Sequence, residues 1–513
     1  MKSLARASLV VLTSISLVMA FGATAAQAAA TVGKPCGRAG MTTVDAQGRN
    51  LVCVKVKTGK DKGKLRWKLA STPPPTPTPS NAEPGAACST SGQLAPMRGV
   101  GIAICTSGRW TYAFTQDLPA STAYTSRPSW YPTVDAVFGQ PDATCAASTV
   151  KFTHTIIPLD TLTSSIPYGA MIGSHVTPID HAYLGLKSLE LTDAVRQSAA
   201  FVPVTSPAAG TVIEVGTLPA EGSNTVNRVV INHGCGVYTV YMVLDRLDAG
   251  VQRGTKLAAG QQFGSQRDHP LDFNVFSGGT WLTGLANPLS YAYGEAWKPY
   301  TADPSPFFTP QLAAAYEAVM QRTAAPRWWK VDFDIRGAAS GSWFLAGTAG
   351  YSGIPISSIK PYEWAQFGQV PGKNNYAYGH LALAPHWTTP STWIASMGWF
   401  ADAAGDADMR GGGQFALSLD GGLPSPDEVT AADGTVVYPL HSLESRTASG
   451  DPYQIDPSTK TPMPVGYQAV PGTSKQGTMA IRVNADGSLT VEVIANPTGS
   501  FSGFTSAART YMR

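Results

Sequence analysis

The chain has 513 residues, 43% of them hydrophobic and only 14% charged, with 52 glycines, 39 prolines and a net charge of +3. At roughly 150 residues per domain it is too long for one ordinary domain, and its near-neutral charge gives no electrostatic ground for a nucleic-acid partner. The glycine and proline content favours strands and turns over long helices, so the expected fold is mainly β.

Residues 1–28 read as a secretory signal. Lys2 and Arg6 open it, Leu9 to Phe21 form its apolar core, and Ala26-Gln27-Ala28 is a small-x-small cleavage site. No later stretch approaches the ~20 apolar residues of a membrane helix. The mature chain is therefore expected to be secreted or extracellular, held at the envelope by binding, with no membrane span.

Six cysteines in an exported chain point to disulfides, though six admit fifteen pairings. An internal repeat narrows the choice. Gly33-x2-Cys36-x3-Gly40-x12-Cys53 recurs as Gly85-x2-Cys88-x3-Gly92-x12-Cys105, each copy followed by a tryptophan, Trp67 or Trp110. The expectation is two small modules, 29–70 and 83–115, closed by Cys36–Cys53 and Cys88–Cys105. Units this small need a staple because they bury little core. Between them, 71–82 holds the Pro/Thr run Ser71–Ser80, a semi-rigid polyproline II spacer. The first module carries ten Lys or Arg between Lys34 and Lys68 against Asp45 and Asp61. Lys55, Lys57, Lys64, Arg66 and Trp67 are its candidate polymer-binding residues, the cations for an anionic polymer and the indole for sugar. Cys145 and Cys235 are expected to form a long-range bridge.

A third segment, 116–300, is punctuated as a sheet. Pro207 to Val212 is a small-residue turn feeding a strand. Val229 to Gly234, Tyr238 to Leu247 and Leu271 to Phe276 are further strands, and Gly254 to Gly264 supplies tight turns. This order resembles the lysostaphin-type (LytM-like) zinc endopeptidases, secreted enzymes that cut peptidoglycan cross-links. The resemblance covers about Ser174 to Leu285 and implies the family's β-sheet core, a duplicated hybrid motif. Such enzymes hold zinc with the His and Asp of HxxxD and the second His of HxH. The first His of HxH, and another in a Tyr-x-His strand, move protons and stabilise the oxyanion. Here HxH falls on Pro270-Leu271-Asp272, and Tyr-x-His becomes Tyr241-Met242-Val243. HxxxD has a loose counterpart in His175 and Asp180, five apart, with His181 following. The family motifs are thus degenerate. The resemblance leaves His175, Asp180, His181 and Asp272 as candidate metal ligands and His269 as a candidate base. A carboxylate in place of an imidazole weakens a preference for zinc. General acid–base groups contribute about 10²- to 10⁴-fold each, so losing two silences hydrolysis.

Thr309 to Arg322 reads as a helix, with a threonine cap and Pro310 in its first turn, inside a linker at 301–326. From 327 to 513 the pattern is β-rich. Lys330 to Ile335 alternates as a strand, and Gly341–Thr348, His380–Pro385 and Trp393–Gly398 follow. Thr478–Val483 and Leu489–Ile494 flank Asp486-Gly487 as a hairpin. Strands so spaced predict a sandwich or barrel. Trp343, Tyr351, Trp387, Trp393, Trp399 and Phe400 read as core. Ser396, His380 and Asp402 lack the G-x-S-x-G setting of a hydrolase nucleophile.

Two leading functions follow, beside a third in which the last third of the chain is a ligand-binding β domain and the rest an adaptor. The first is an exported envelope protein that binds wall polymer or glycan, with a degenerate peptidase scaffold and no cofactor. The alternative is a metal-dependent peptidoglycan endopeptidase holding one divalent ion, zinc in the family, on altered ligands.

Overall fold

The structure is a computed structural model that describes residues 31–37, 39, 42–44, 50–69, 82–97, 101–118, 122–173, 175–219, 225–361, 377–399, 412–454, 456 and 458–513. The expected leader, the Ser71–Ser80 spacer, Phe400 and Asp402 lie outside these residues. The chain divides into two compact units, Met1–Ser80 and Asn81–Arg513.

In the first unit, strands Thr42–Val44, Asn50–Lys55 and Leu65–Leu69 form an antiparallel sheet. Cys53 pairs with Trp67 across two of them, and Cys36 closes onto Cys53 as the repeat predicts. The core is correspondingly small, Leu51, Cys53 and Trp67, so the disulfide replaces hydrophobic area that the unit lacks.

The second unit begins with the second cysteine module. Its strands Leu94–Pro96, Ile102–Thr106 and Arg109–Tyr112 repeat the same pattern, with the Cys88–Cys105 bridge and Cys105 opposite Trp110. This copy has lost the positive charge and uses one face for packing. Met97, Ile102, Ala103, Tyr112 and Phe114 share a core with Ile213, Val230, Tyr238, Val240 and Phe276 of the large sheet. The Tyr293 hydroxyl, buried in that core, donates to the Ala113 carbonyl at 2.6 Å.

The large sheet has six strands in the order Lys256–Leu257, Gly210–Pro219, Thr225–Asn232, Val237–Leu244, Leu271–Ser277 and Ala182–Leu184, antiparallel throughout. Every residue of Leu271–Ser277 is buried, which the period-two side-chain rule explains. Leu271, Phe273 and Val275 join Val229, Ile231, Val237 and Tyr241 in one core. Asp272, Asn274 and Phe276 face the other way, beside Met242, Val240 and Tyr238. A second sheet, Arg246–Leu247, Gln262–Gln266 and Val202–Thr205, lies alongside in sequence. Cys145 bridges Cys235 at the turn between two central strands, closing a span of 90 residues.

Helix Pro310–Val319 starts at Thr309, whose hydroxyl accepts from the Leu312 amide, and buries Tyr316. Lys330–Ile335 is not a strand, contrary to its alternation. Its aspartates turn inward to hold a neighbouring loop. Asp332 accepts from the Gly284 amide (3.0 Å), and Asp334 from those of Ala286 (2.8 Å) and Ser342 (2.7 Å). The rest is a closed eight-stranded barrel of Gly341–Leu345, His380–Pro385, Trp393–Met397, Gly413–Leu417, Val436–Arg446, Gln468–Val483, Leu489–Ile494 and Arg509–Met512. Barrels of this strand number are filled by their own side chains. Trp343, Leu381, Leu383, Met397, Tyr438 and Tyr511 share such a core here. Outside it, Ala382, Ala384 and Ile394 pack on Met171 and Phe333. Trp343, Tyr351, Trp387 and Trp399 are buried.

A buried Asp–His–Asp cluster as the candidate functional site

The family motifs converge on one face of the large sheet. Asp272 and Asn274 project from Leu271–Ser277 two residues apart, so the pleat puts them on the same side. The adjoining edge strand Ala182–Leu184 sets Tyr183 opposite Asp272. His181 immediately precedes that strand, and its Nδ1 lies 3.0 Å from Asp180 Oδ1. Its Nε2 lies 3.7 Å from Asp272 Oδ2. The His175 ring meets the His181 ring edge-on, with centroids 5.2 Å apart. The structure therefore brings together all four candidate ligands.

Their hydrogen bonds decide what the cluster can do. Asp180 Oδ1 also accepts from Asn274 Nδ2 (3.2 Å), and Asp180 Oδ2 accepts from Trp297 Nε1 (3.0 Å). Both carboxylate oxygens are thus taken by protein donors. Burial works to raise the Asp180 pKa, yet the bond from His181 and the charge of Lys298 hold it down at about 2. Burial lowers the His181 pKa, but Asp272 and Asp180 more than offset it and the net shift is upward. Asp272 is pushed up to about 7 by burial, against the pull of His181. His175 falls to about 3 through burial and the neighbouring His181. The cluster is thus an anchored carboxylate, an imidazole it orients, and a second buried carboxylate 3.7 Å from that imidazole.

Access is closed. The side chains of Asp180, His181 and Asp272 are 3%, 4% and 5% exposed. Trp297 covers Asp180 and stacks near Phe138 and Phe276. Phe276 belongs to the core beneath the second cysteine module. Along the strand, then, the sheet face that holds the cluster continues into packed interior.

These residues do not fit a catalytic zinc site, which takes three protein ligands and an open position. His181 Nε2 and Asp272 Oδ1 are buried without a hydrogen-bond partner. Asp180 is fully engaged elsewhere. Among the described residues no three His, Cys, Asp or Glu side chains are grouped as a metal site. Val243, at the Tyr-x-His position, is an aliphatic residue at φ 56°, a conformation β-branched side chains rarely adopt.

His269 sits in the turn before Leu271, with Nδ1 2.5 Å from Asp245 Oδ1. Asp245 Oδ2 accepts from the amides of Arg267 and Asp268, both at 2.7 Å, and Gln266 Nε2 donates to the His269 carbonyl at 2.9 Å. His269 is thereby tied into a turn-fixing web. In the first module, Lys55, Lys57 and Lys64 are exposed, and Arg66 is half-buried against Asp61 at 3.2 Å. Trp67 is only 9% exposed and packs with Leu51 and Cys53. The ring for which a sugar contact was expected lies mostly inside the module's small core among the described residues.

Sequence reasoning missed Asn274 and Trp297. The period-two strand rule could have found Asn274 beside Asp272. Trp297 carries no local signal, because it reaches Asp180 from 117 residues away.

Residues 194–271 match the family described as Peptidase family M23. Among solved structures, the chain is similar to the SpoIIQ–SpoIIIAH pore-forming complex at 22% identity and a TM-score of 0.14, covering 16% of this chain and 54% of that one. It is similar to Helicobacter pylori Csd3 at 14% identity and a TM-score of 0.19, covering 46% of this chain and 47% of that one. Against lysostaphin the identity is 13% and the TM-score 0.21, over 70% of this chain and 90% of that one. The chain thus spans about half the length of the first two. No functionally curated protein matches the sequence.

Proposed function

Starting from the Peptidase family M23 domain at residues 194–271, we propose that this chain is an exported envelope protein that binds wall polymer and uses its peptidase-derived sheet as a scaffold without hydrolysis. The observation that carries this reading is the buried Asp180–His181–Asp272 cluster, in which Asp180 is committed to His181 and Trp297. A cross-link in a cell wall is bulky and needs an open groove, and water attack needs a base with access to it. Three disulfides with no free cysteine among the described residues favour an oxidising, extracytoplasmic setting. Among those residues, no helix is long and apolar enough to cross a membrane.

The test is cosedimentation of the mature protein with isolated cell wall, with wall turbidity followed in the same tube. Retention on the pellet with unchanged turbidity is expected. A steady fall in turbidity that Asp272→Ala abolishes would support the alternative, a metal-dependent peptidoglycan endopeptidase. That alternative draws on the two unpartnered atoms, His181 Nε2 and Asp272 Oδ1.

A further inference from the structure

The two cysteine modules share a framework but present different surfaces. In the second unit the copied sheet is packed into the core, as described above. In the first unit the hairpin joining Asn50–Lys55 to Leu65–Leu69 projects a cluster of charge. Lys55, Lys57, Lys60, Lys62 and Lys64 fall within ten residues that hold a single carboxylate, Asp61. All five lysines are exposed. The tip has defined geometry. The Val56 amide donates to the Lys64 carbonyl (2.9 Å) and the Gly63 amide to the Val56 carbonyl (2.8 Å). Inside that pair the Lys62 amide donates to the Gly59 carbonyl at 3.0 Å, with Gly59 and Gly63 both at positive φ. Asp61 is spent on Lys64 (3.1 Å) and Arg66 (3.2 Å). Among the described residues no carboxylate pairs with Lys55, Lys57, Lys60 or Lys62.

Two chemical facts narrow the partner. Trp67 is the only aromatic residue between Thr31 and Ala70, and it is buried, so the module has no ring on which a sugar can stack. The free cations are lysines, compact hydrated charges on flexible stems, rather than the planar forks that clasp a fixed carboxylate. Such a cluster suits a flexible chain of repeated anionic groups, bound through charge and counterion release.

We propose that the Lys55–Lys64 hairpin is the docking tip for a linear polyanion, with Lys57, Lys60 and Lys62 at its centre and Trp67 outside the contact. The proposal rests on the polymer-binding reading above and narrows its partner from wall polymer or glycan to a polyanion.

The experiment uses the mature full chain and its Lys57→Gln/Lys60→Gln/Lys62→Gln variant, whose changes lie on exposed loop positions. The probes are linear polyphosphate, a neutral N-acetylglucosamine hexamer, anionic phospholipid vesicles and isolated cell wall. Four unpaired lysine contacts predict a slope of log K against log salt of about −2.8 for polyphosphate, or about a 50-fold loss between 50 and 200 mM salt. One remaining contact predicts about −0.7, and little binding of the hexamer is expected from either protein. Equal polyphosphate binding by the variant overturns the proposal. So does salt-insensitive binding of the hexamer, which would restore the glycan, and so does binding confined to vesicles. If the variant binds wall as well as the parent, the tip is wrong while the wall-binding reading stands. If the parent itself fails to bind wall, both fall.

Discussion

Replacing Asp180 with alanine probes the cluster where its bonds are densest. The carboxylate accepts from His181 Nδ1 at 3.0 Å, Trp297 Nε1 at 3.0 Å and Asn274 Nδ2 at 3.2 Å. Asn274 keeps a second acceptor, the Asp180 backbone carbonyl at 3.0 Å. The imidazole and the indole lose theirs in a place where water does not reach. Two orphaned buried donors cost about 1–3 kcal/mol each. The loss should fall at about 3–5 kcal/mol, within the range for removing one partner of a buried hydrogen-bonded pair. A cooperative body as long as Asn81–Arg513 has a melting entropy of about 0.9 kcal/mol/K, so Tm should drop by about 3–6 °C. Differential scanning calorimetry at pH 7 reads this. Asp180→Asn, which keeps one carbonyl acceptor in the same volume, should lose less than half as much. Shifts under about 1 °C in both variants would show that the cluster does not hold the sheet face closed, and the argument for a structural role would fail.

Further outcomes follow from the same physics. Cys145→Ser/Cys235→Ser opens a 90-residue span, and the chain-entropy relation puts the loss at about 4–5 kcal/mol, measurable by urea unfolding. Gly169→Ala should abolish soluble expression, because φ is +75° there and a Cβ would lie 1.9 Å from the Lys330 carbonyl oxygen, a backbone atom. Burial depresses His175, His380 and His386 to about 3 and His233 to about 4. The unfolded chain binds protons at these histidines below about pH 6.5 while the folded chain does not, so their contribution is present above that pH and is lost as pH falls. Asp272, at about 7, works in the opposite direction between pH 4 and 7, since the folded state keeps a proton that the unfolded state has released. Glu295, Asp303, Asp332 and Asp334, also raised by burial, act in the same sense as Asp272. Asp272→Asn should therefore make Tm fall more steeply, or rise less, from pH 7 to pH 4 than in the parent; parallel profiles would contradict the raised Asp272 pKa.

The fold was legible where local chemistry and repetition agree. The duplicated cysteine spacing identified two bridges, and the lone pair Cys145 and Cys235 left the third. Pro310 after Thr309 marked the helix start, and Asp486-Gly487 marked the hairpin between Val483 and Leu489. Lys330–Ile335 misled because strand alternation and a loop with inward aspartates share one pattern; what separates them is the Gly284–Ala286 backbone that Asp332 and Asp334 hold. Closure of the barrel was equally hidden, since Phe344 pairs with Met512 across the whole domain. At the candidate site the missing imidazoles were readable at Val243 and Pro270. The sealing was not, because Trp297 and the packed second module arrive from distant segments. Trp67 reads as a contact residue because it stands among lysines; its pairing with Cys53 and its packing on Leu51 carry no local sequence signal.

Release of free amines from purified peptidoglycan, labelled fluorescently after incubation with the mature protein and added Zn²⁺, decides whether the sheet is a scaffold or an enzyme. A sealed cluster with Asp180 committed to His181, Trp297 and Asn274 predicts no release above that of Asp272→Ala. Amine release by the parent chain that Asp272→Ala eliminates would contradict it.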